Sequence, residues 1–208
     1  MKKLLAILFV TILIFSTSLA GNTAHAQTEG SIQEGQIKIG AGLVYGSGIR
    51  FSGLNSDFEN DLGIRVDGYY AVTPEIRAGG DFTFYFPKEE TISESSQGVT
   101  ASGSAKQTVW ELNINGHYII QDEDGLILYA LAGINITGIN AENEIEISSQ
   151  FGSQNDGDSR SESEVGLNLG GGLEYALDFA DLFAEAKLGG LGGDADQFAL
   201  GVGLRFPI

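Results

Sequence analysis

The chain has 208 residues, enough for one domain with a sizeable core. Thirty glycines argue against a helical protein, and the lack of cysteine excludes disulfides, thiol nucleophiles, thiolate metal sites and a lipid-anchored cysteine. A formal net charge of −17 repels phosphates, which excludes nucleic acid as a partner.

The first residues read as an export signal. Lys2 and Lys3 form a basic segment, residues 4–15 an apolar one, and Ala24-His25-Ala26 a small-x-small cleavage site. The apolar segment has only twelve residues, short of the ~20 that span a bilayer. The expected organisation is a signal peptide at 1–26, a short periplasmic N-terminal tail at 27–35 and a barrel domain at 36–208. Without Lys2 and Lys3 the mature chain carries 9 basic and 28 acidic residues, a net charge of −19. No later run reaches the ~18 apolar residues of a membrane helix, so a membrane-spanning mature chain must close into a barrel.

Period-two alternation then recurs eight times. The first strand, 37–45, sets Ile37, Ile39, Ala41, Leu43 and Tyr45 on one face. After a long connection at 46–61 comes the second strand, 62–72, with Leu62, Ile64, Val66, Tyr70 and Val72 on its apolar face. Thr73-Pro74-Glu75 turns tightly into the third strand, 76–86, with Ile76, Phe82, Phe84 and Phe86. A Ser- and Gly-rich connection follows at 87–106, and its stretch 93–104 reads as flexible. The fourth strand, 108–120, carries Trp110, Leu112, Ile114, Tyr118 and Ile120. A short turn at 121–125 leads to the fifth, 126–136, with Leu126, Leu128, Ile134 and Ile136. The connection 139–164 carries seven acids against Arg160 and reads as a solvated, self-repelling loop. Within it Glu144-Ile-Glu-Ile147 alternates, so the fifth strand is expected to extend above a membrane and to offer an edge to a partner strand. The sixth strand, 165–175, is followed by a short turn, the seventh, 182–188, by a connection at 189–196, and the eighth, 198–208, ends the chain. Long and short connections alternate, as in outer-membrane barrels, and the even strand count puts both termini on the short-turn, periplasmic side.

A soluble eight-stranded barrel of lipocalin type shares this alternation. Three features favour apolar-out. The opposite face is rich in glycine, including Gly40, Gly42, Gly63, Gly79, Gly166, Gly170, Gly172, Gly201 and Gly203, which suits a narrow lumen. It balances five bases (Lys38, Arg65, Arg77, Lys187 and Arg205) against five acids (Asp67, Asp81, Glu111, Glu174 and Glu185), while the connections and the N-terminal tail together hold 4 bases and 23 acids. A confined lumen must neutralise its charges, because an unpaired buried charge is costly. Aromatic residues cluster in two bands: Tyr45, Phe86, Trp110 and Phe198 near the long connections, and Tyr70, Tyr118, Tyr175 and Phe206 near the short turns. This is the double girdle of a membrane barrel.

Gly166-Leu-Asn-Leu-Gly-Gly-Gly-Leu-Glu-Tyr175 in the sixth strand resembles a segment of the small outer-membrane barrel superfamily that includes OmpX and the OmpA membrane domain. Tyr129-Ala-Leu-Ala-Gly-Ile134 and Leu182-Phe-Ala-Glu-Ala-Lys187 resemble it too, and there Glu185 and Lys187 match the family's inward acid and base. The ending resembles the terminal strand that the barrel-assembly machinery reads, although here Ile208 follows Pro207 and the nearest aromatic is Phe206. The resemblance covers 36–208. It implies an all-β, eight-stranded antiparallel transmembrane barrel in a bacterial outer membrane, in contact with outer-membrane lipid and with that machinery during biogenesis. It is weak for function, because the superfamily hosts several jobs.

No catalytic, cofactor-binding or metal-binding residues are expected. His117, the one histidine of the mature chain, has Gly116 and Tyr118 as neighbours and no serine beside it. It faces the lumen near the periplasmic rim, where a polar contact is the expected role. The pair Asp67/Asp81, flanked by Arg65 and Arg77, reads as an ion-pair cluster rather than paired catalytic carboxylates. Asn155-Asp-Gly-Asp-Ser159 does not match the spacing of a calcium loop. The expected protein is therefore a monomeric, non-enzymatic barrel with a structural or surface-interaction role. Its acidic loops are displayed outside, where they offer a surface to an extracellular protein. The alternatives are a small pore or ligand-carrying barrel and a soluble lipocalin-like binder.

Overall fold

The computed structural model describes residues 32–47, 62–96, 99–149, 152–193 and 195–208. The expected export signal, most of the expected N-terminal tail and the greater part of the first long connection lie outside these residues. The elements are β1 (Ile37–Ser47), β2 (Leu62–Thr73), β3 (Ile76–Tyr85), β4 (Lys88–Ser96), β5 (Val99–Glu123), β6 (Leu126–Ser149), β7 (Gly152–Ala176), β8 (Asp181–Leu191) and β9 (Gln197–Pro207).

Every pairing is antiparallel, and the pairings close. β1 lies between β2 and β9, the order runs on through β8, β7, β6 and β5, and β5 returns to β3 beside β2. Eight strands thus form a ring with no edge. β4 stands outside it. It resumes after Phe86-Pro87, where proline supplies no N–H to a ladder, and among the described residues it pairs only with β5. The short turns have the chemistry their geometry demands. Asp124 and Gly125 join β5 to β6 with φ of 52° and 77°, the left-handed pair of a type I′ hairpin. At the β2–β3 turn the Thr73 hydroxyl accepts hydrogen bonds from the backbone N–H groups of Glu75 and Ile76.

The ring is inside-out relative to a soluble barrel. Leu43 is 50% exposed, Leu167 59% and Ile114 64%, whereas Arg205, Glu111 and Glu174 are at 0%. An exterior of Leu, Ile, Val and aromatic side chains needs an apolar solvent, and this inversion disposes of the lipocalin alternative. Inside, the polar centre lies between two apolar layers. Val44, Tyr85, Val109, Ile139, Ala195 and Ala199 close the long-loop end. Ile32, Ala71, Ile119, Ile127, Tyr129 and Leu131 close the short-turn end. Ile32, from the N-terminal tail, is 4% exposed and tied by its backbone N–H to Asp122 at 2.7 Å.

Two expectations from the sequence are corrected. Of the Ser/Gly stretch at 93–104, the described residues 93–96 and 99–104 are paired strand and not a flexible loop: β4 and β5 pair continuously from Lys88↔Gln107 to Ser96↔Val99. The acidic connection 139–164 is not a loop in its described residues: β6 runs to Ser149, as the alternation at 144–147 leads one to expect, and β7, starting at Gly152, pairs with it throughout. Composition reports what a segment does alone, whereas here each strand is paired to a neighbour already held in register by the barrel below.

Candidate functional site: the charged lumen and the sheet above it

Lumen-facing positions alternate with outward ones along each strand, so the ring gathers its polar residues on one axis. Lys38 meets Glu174 at 3.2 Å and Asp181 at 2.6 Å. Arg65 meets Glu185 at 2.5 Å, Asp67 at 3.2 Å and Asp81 at 3.5 Å. Arg77 meets Glu174 at 2.7 Å. Arg205 meets Glu174 at 2.5 Å, Asp67 at 3.0 Å and Glu185 at 3.5 Å. Lys187 lies 3.5 Å from Asp81 and 3.6 Å from Glu111. Asp67 and Asp81 are direct register partners of β2 and β3, and Arg65 lies between the two carboxylates.

Several members were missed by the charge-based reading. Asp181 is a sixth lumen acid, at the foot of β8. Asparagines form a second network: Asn113 and Asn115 donate to Asp81, Asn135 donates to Asn113, and Asn168 donates to both Asn113 and Asn115. The Tyr129 hydroxyl donates to Glu185 at 2.9 Å, and the Arg205 guanidinium lies 4.2 Å from the Phe183 ring centroid and 4.8 Å from that of Tyr69. The sequence pattern ends the turn before the seventh strand at Asp181, whereas that strand in fact starts with it. The others occupy the same alternate positions as the charges, but an uncharged residue there does not stand out from a solvated face.

His117 is 1% exposed and stacked between Tyr69 and Tyr129, with ring centroids 4.1 and 4.3 Å away. Arg77 donates to its Nδ1 at 3.3 Å, which fixes the ring's proton on Nε2. The girdle residues Tyr45, Phe86, Phe198, Tyr70, Tyr118, Tyr175 and Phe206 all point outward, between 40% and 60% exposed. Trp110 lies flat over Gly138, where a Cβ would collide with the indole, and stacks on Phe82 at 6.3 Å.

Above the ring, β4, β5, β6 and the first part of β7 continue as an open four-stranded sheet. β8 pairs with β7 only from Leu167 to Ala176, so among the described residues 153–163 of β7 form one outer edge of the sheet and 89–96 of β4 the other. Counting by twos from the buried Glu111, Thr137 and Asn168 separates the two faces. The face continuous with the lumen carries, row by row, Lys88, Gln107, Ala141 and Arg160; then Glu90, Ala105, Asn143 and Asp158; then Ile92, Gly103, Ile145 and Asp156; then Glu94, Ala101, Ile147 and Gln154. The opposite face carries Glu142, Glu144 and Glu146 among serines and threonines, with Lys106 3.9 Å from Glu142. Among the described residues no three acids or histidines converge as a metal site.

The family model of the outer membrane protein beta-barrel domain matches residues 14–206. The chain belongs to that family. This outer-membrane barrel therefore resides in a bacterial outer membrane, where its exposed apolar band meets lipid. Among solved structures it is similar to Ail of Yersinia pestis, in complex with the heparin analogue sucrose octasulfate, with 21% identity and a TM-score of 0.46 over 84% of this chain and 100% of that one. It is similar to OprG of Pseudomonas aeruginosa with 13% identity and a TM-score of 0.49, over 86% of this chain and 98% of that one. Neisserial surface protein A matches with 12% identity and a TM-score of 0.43, over 82% and 95% of the two chains. No curated protein matches it significantly.

Proposed function

We propose that this outer-membrane barrel is a non-enzymatic anchor that displays an open β-sheet at the cell surface for interaction with other molecules. The observation that carries the reading is the four-stranded sheet that rises beyond a closed ring, with residues 89–96 and 153–163 at its two edges facing no further strand among the described residues. A sheet edge is a template for further pairing, and natural proteins rarely leave one long and uncovered without a use for it. The barrel below is suited to holding rather than conducting. Its axis is filled by paired charges and closed by an apolar layer at each end. Catalysis has no support in the lumen, where His117 is packed between two tyrosines and Asp67 and Asp81 are held by arginines. The ring closes within one chain through the β1–β9 pairing, which favours a monomer. Its final strand, Gln197–Pro207, is the segment we assign to the barrel-assembly machinery.

Two measurements on the folded protein test this reading. Planar-bilayer recording should give no steady conductance steps, and a cysteine in place of Ser159 should react with an impermeant maleimide on intact cells. Stable ion conductance would overturn the closed-lumen anchor in favour of a pore. A Ser159→Cys protein that is folded and inserted yet unlabelled would remove the display.

A further inference from the structure

Exposed apolar residues interrupt the acidic surface on one face of the protruding sheet. Ile92 is 70% exposed, Ile145 56% and Ile147 47%, although all three belong to strands paired in regular register. They share the face that continues the lumen. Gly103 lies in register between Ile92 and Ile145, with Ala101 and Ala105 on either side along β5. Large residues on β4 and β6 therefore stand over a floor of small ones on β5, which makes a shallow apolar trough parallel to the strands. Carboxylates line both flanks: Glu90 and Glu94 on β4, Asp156 and Asp158 on β7. The two bases of this face, Lys88 and Arg160, stay in the row next to the barrel, and Arg160 is already paired with Glu162.

We infer that this trough is a docking site for a cationic amphipathic polypeptide segment, one that sets apolar side chains on the isoleucines and lysine or arginine against the flanking carboxylates. Charge selects the occupant. Cross-strand neighbours sit ~5 Å apart, so the four carboxylates lie within reach of long basic side chains on an extended chain laid in the trough. An anionic glycan or lipid headgroup would meet four like charges. A second copy of this chain, itself at −17, would oppose carboxylates to carboxylates. An exposed apolar strip rimmed by charge is the usual form of a surface that binds protein. The opposite face has the acids without the apolar strip, which makes it the natural control.

The proposal rests on the display reading, whose own tests, conductance and Ser159→Cys labelling, do not involve the peptide. Its test uses the full mature chain in zwitterionic nanodiscs and a fluorescein-labelled nonapeptide of alternating lysine and valine, with empty nanodiscs and a glutamate–valine peptide as references. The lysine peptide should bind saturably above the empty-disc signal, and the glutamate peptide should not. Ile92→Thr with Ile145→Thr should weaken binding at least about tenfold, since both residues are exposed and threonine keeps the strand. Glu90→Gln with Asp156→Asn should weaken it at least threefold, and added salt should lower it further. Glu142→Gln, Glu144→Gln and Glu146→Gln together, on the other face, should change it less than twofold. Each variant is first shown to keep its heat-dependent gel shift, and Ile145→Leu should retain binding. No binding above empty nanodiscs would overturn the proposal. So would an equal loss from the two faces, which would reduce the effect to general acidity, or self-association lost in Ile145→Thr without peptide binding, which would make the occupant a second copy.

Discussion

Glu185 serves two arginines at once, with Arg65 at 2.5 Å and Arg205 at 3.5 Å, and it also accepts from Tyr129. Replacing it with Ala leaves buried guanidinium charge uncompensated, which costs about 3–5 kcal/mol. The expected result is a clearly lower urea midpoint in detergent for Glu185→Ala, with Glu185→Gln falling between it and the parent. An unchanged midpoint would mean the lumen charges do not act as one network. Asn113→Ala should cost about 1–3 kcal/mol in the same assay, because Asn113 bonds Asp81, Asn135 and Asn168 and its loss strands polar groups in the lumen. Alternation assigns Arg65 and Glu185 to one face, but they are 120 positions apart, and nothing in either strand alone says that they meet.

At the scale of elements, the seam between β1 and β9 depends on two opposed glycines. Gly42 and Gly203 are register partners, and a Cβ on Gly203 would press against the Ala41 carbonyl and come within 2.8 Å of the Phe183 ring. Gly203→Ala should therefore destabilise the closed ring by about 1–3 kcal/mol, read as faster unfolding in detergent. The hairpins above the ring behave differently. Replacing 88–106 and 141–160 by four-residue turns should leave the heat-dependent gel shift and β-type circular dichroism intact, since the lumen network and both apolar layers, Ile139 included, lie below the cuts. Loss of folding on that truncation would show that the sheet nucleates the barrel. The short turns were legible because they carry their own chemistry, Asp124-Gly125 above all. Of the tall hairpins only the extension through 144–147 was legible; elsewhere serine, glycine and glutamate supply no strong strand signal and only the neighbouring strand confers one.

For the whole molecule, the decisive property is inversion, with charge inside and apolar side chains outside. The chain holds a single tryptophan, Trp110, packed outward against Phe82 close to the long-loop end. In bilayers of brominated lipid its fluorescence should be quenched more strongly by bromine near the headgroup than by bromine at the acyl terminus. The reverse order would place Trp110 at the membrane centre and shift the barrel's seating by half its height.

By itself, the sequence determined the number of ring strands, the alternation of long and short connections, and which face of each strand is polar. These are local properties, written in the period-two pattern and in turn residues, and they survive without knowledge of any partner strand. Only the tertiary structure decided which arginine meets which carboxylate, that Asn113, Asn115, Asn135 and Asn168 join the lumen network, and that Ile32 closes its lower end. It also decided that an apparently flexible Ser/Gly stretch and an acidic loop rise together as one sheet with an apolar trough on its inner face. The physical reason is the same in each case. Ring closure and cross-strand register bring together residues from distant strands, and a paired strand holds its conformation through hydrogen bonds to its neighbour, whatever its own composition prefers.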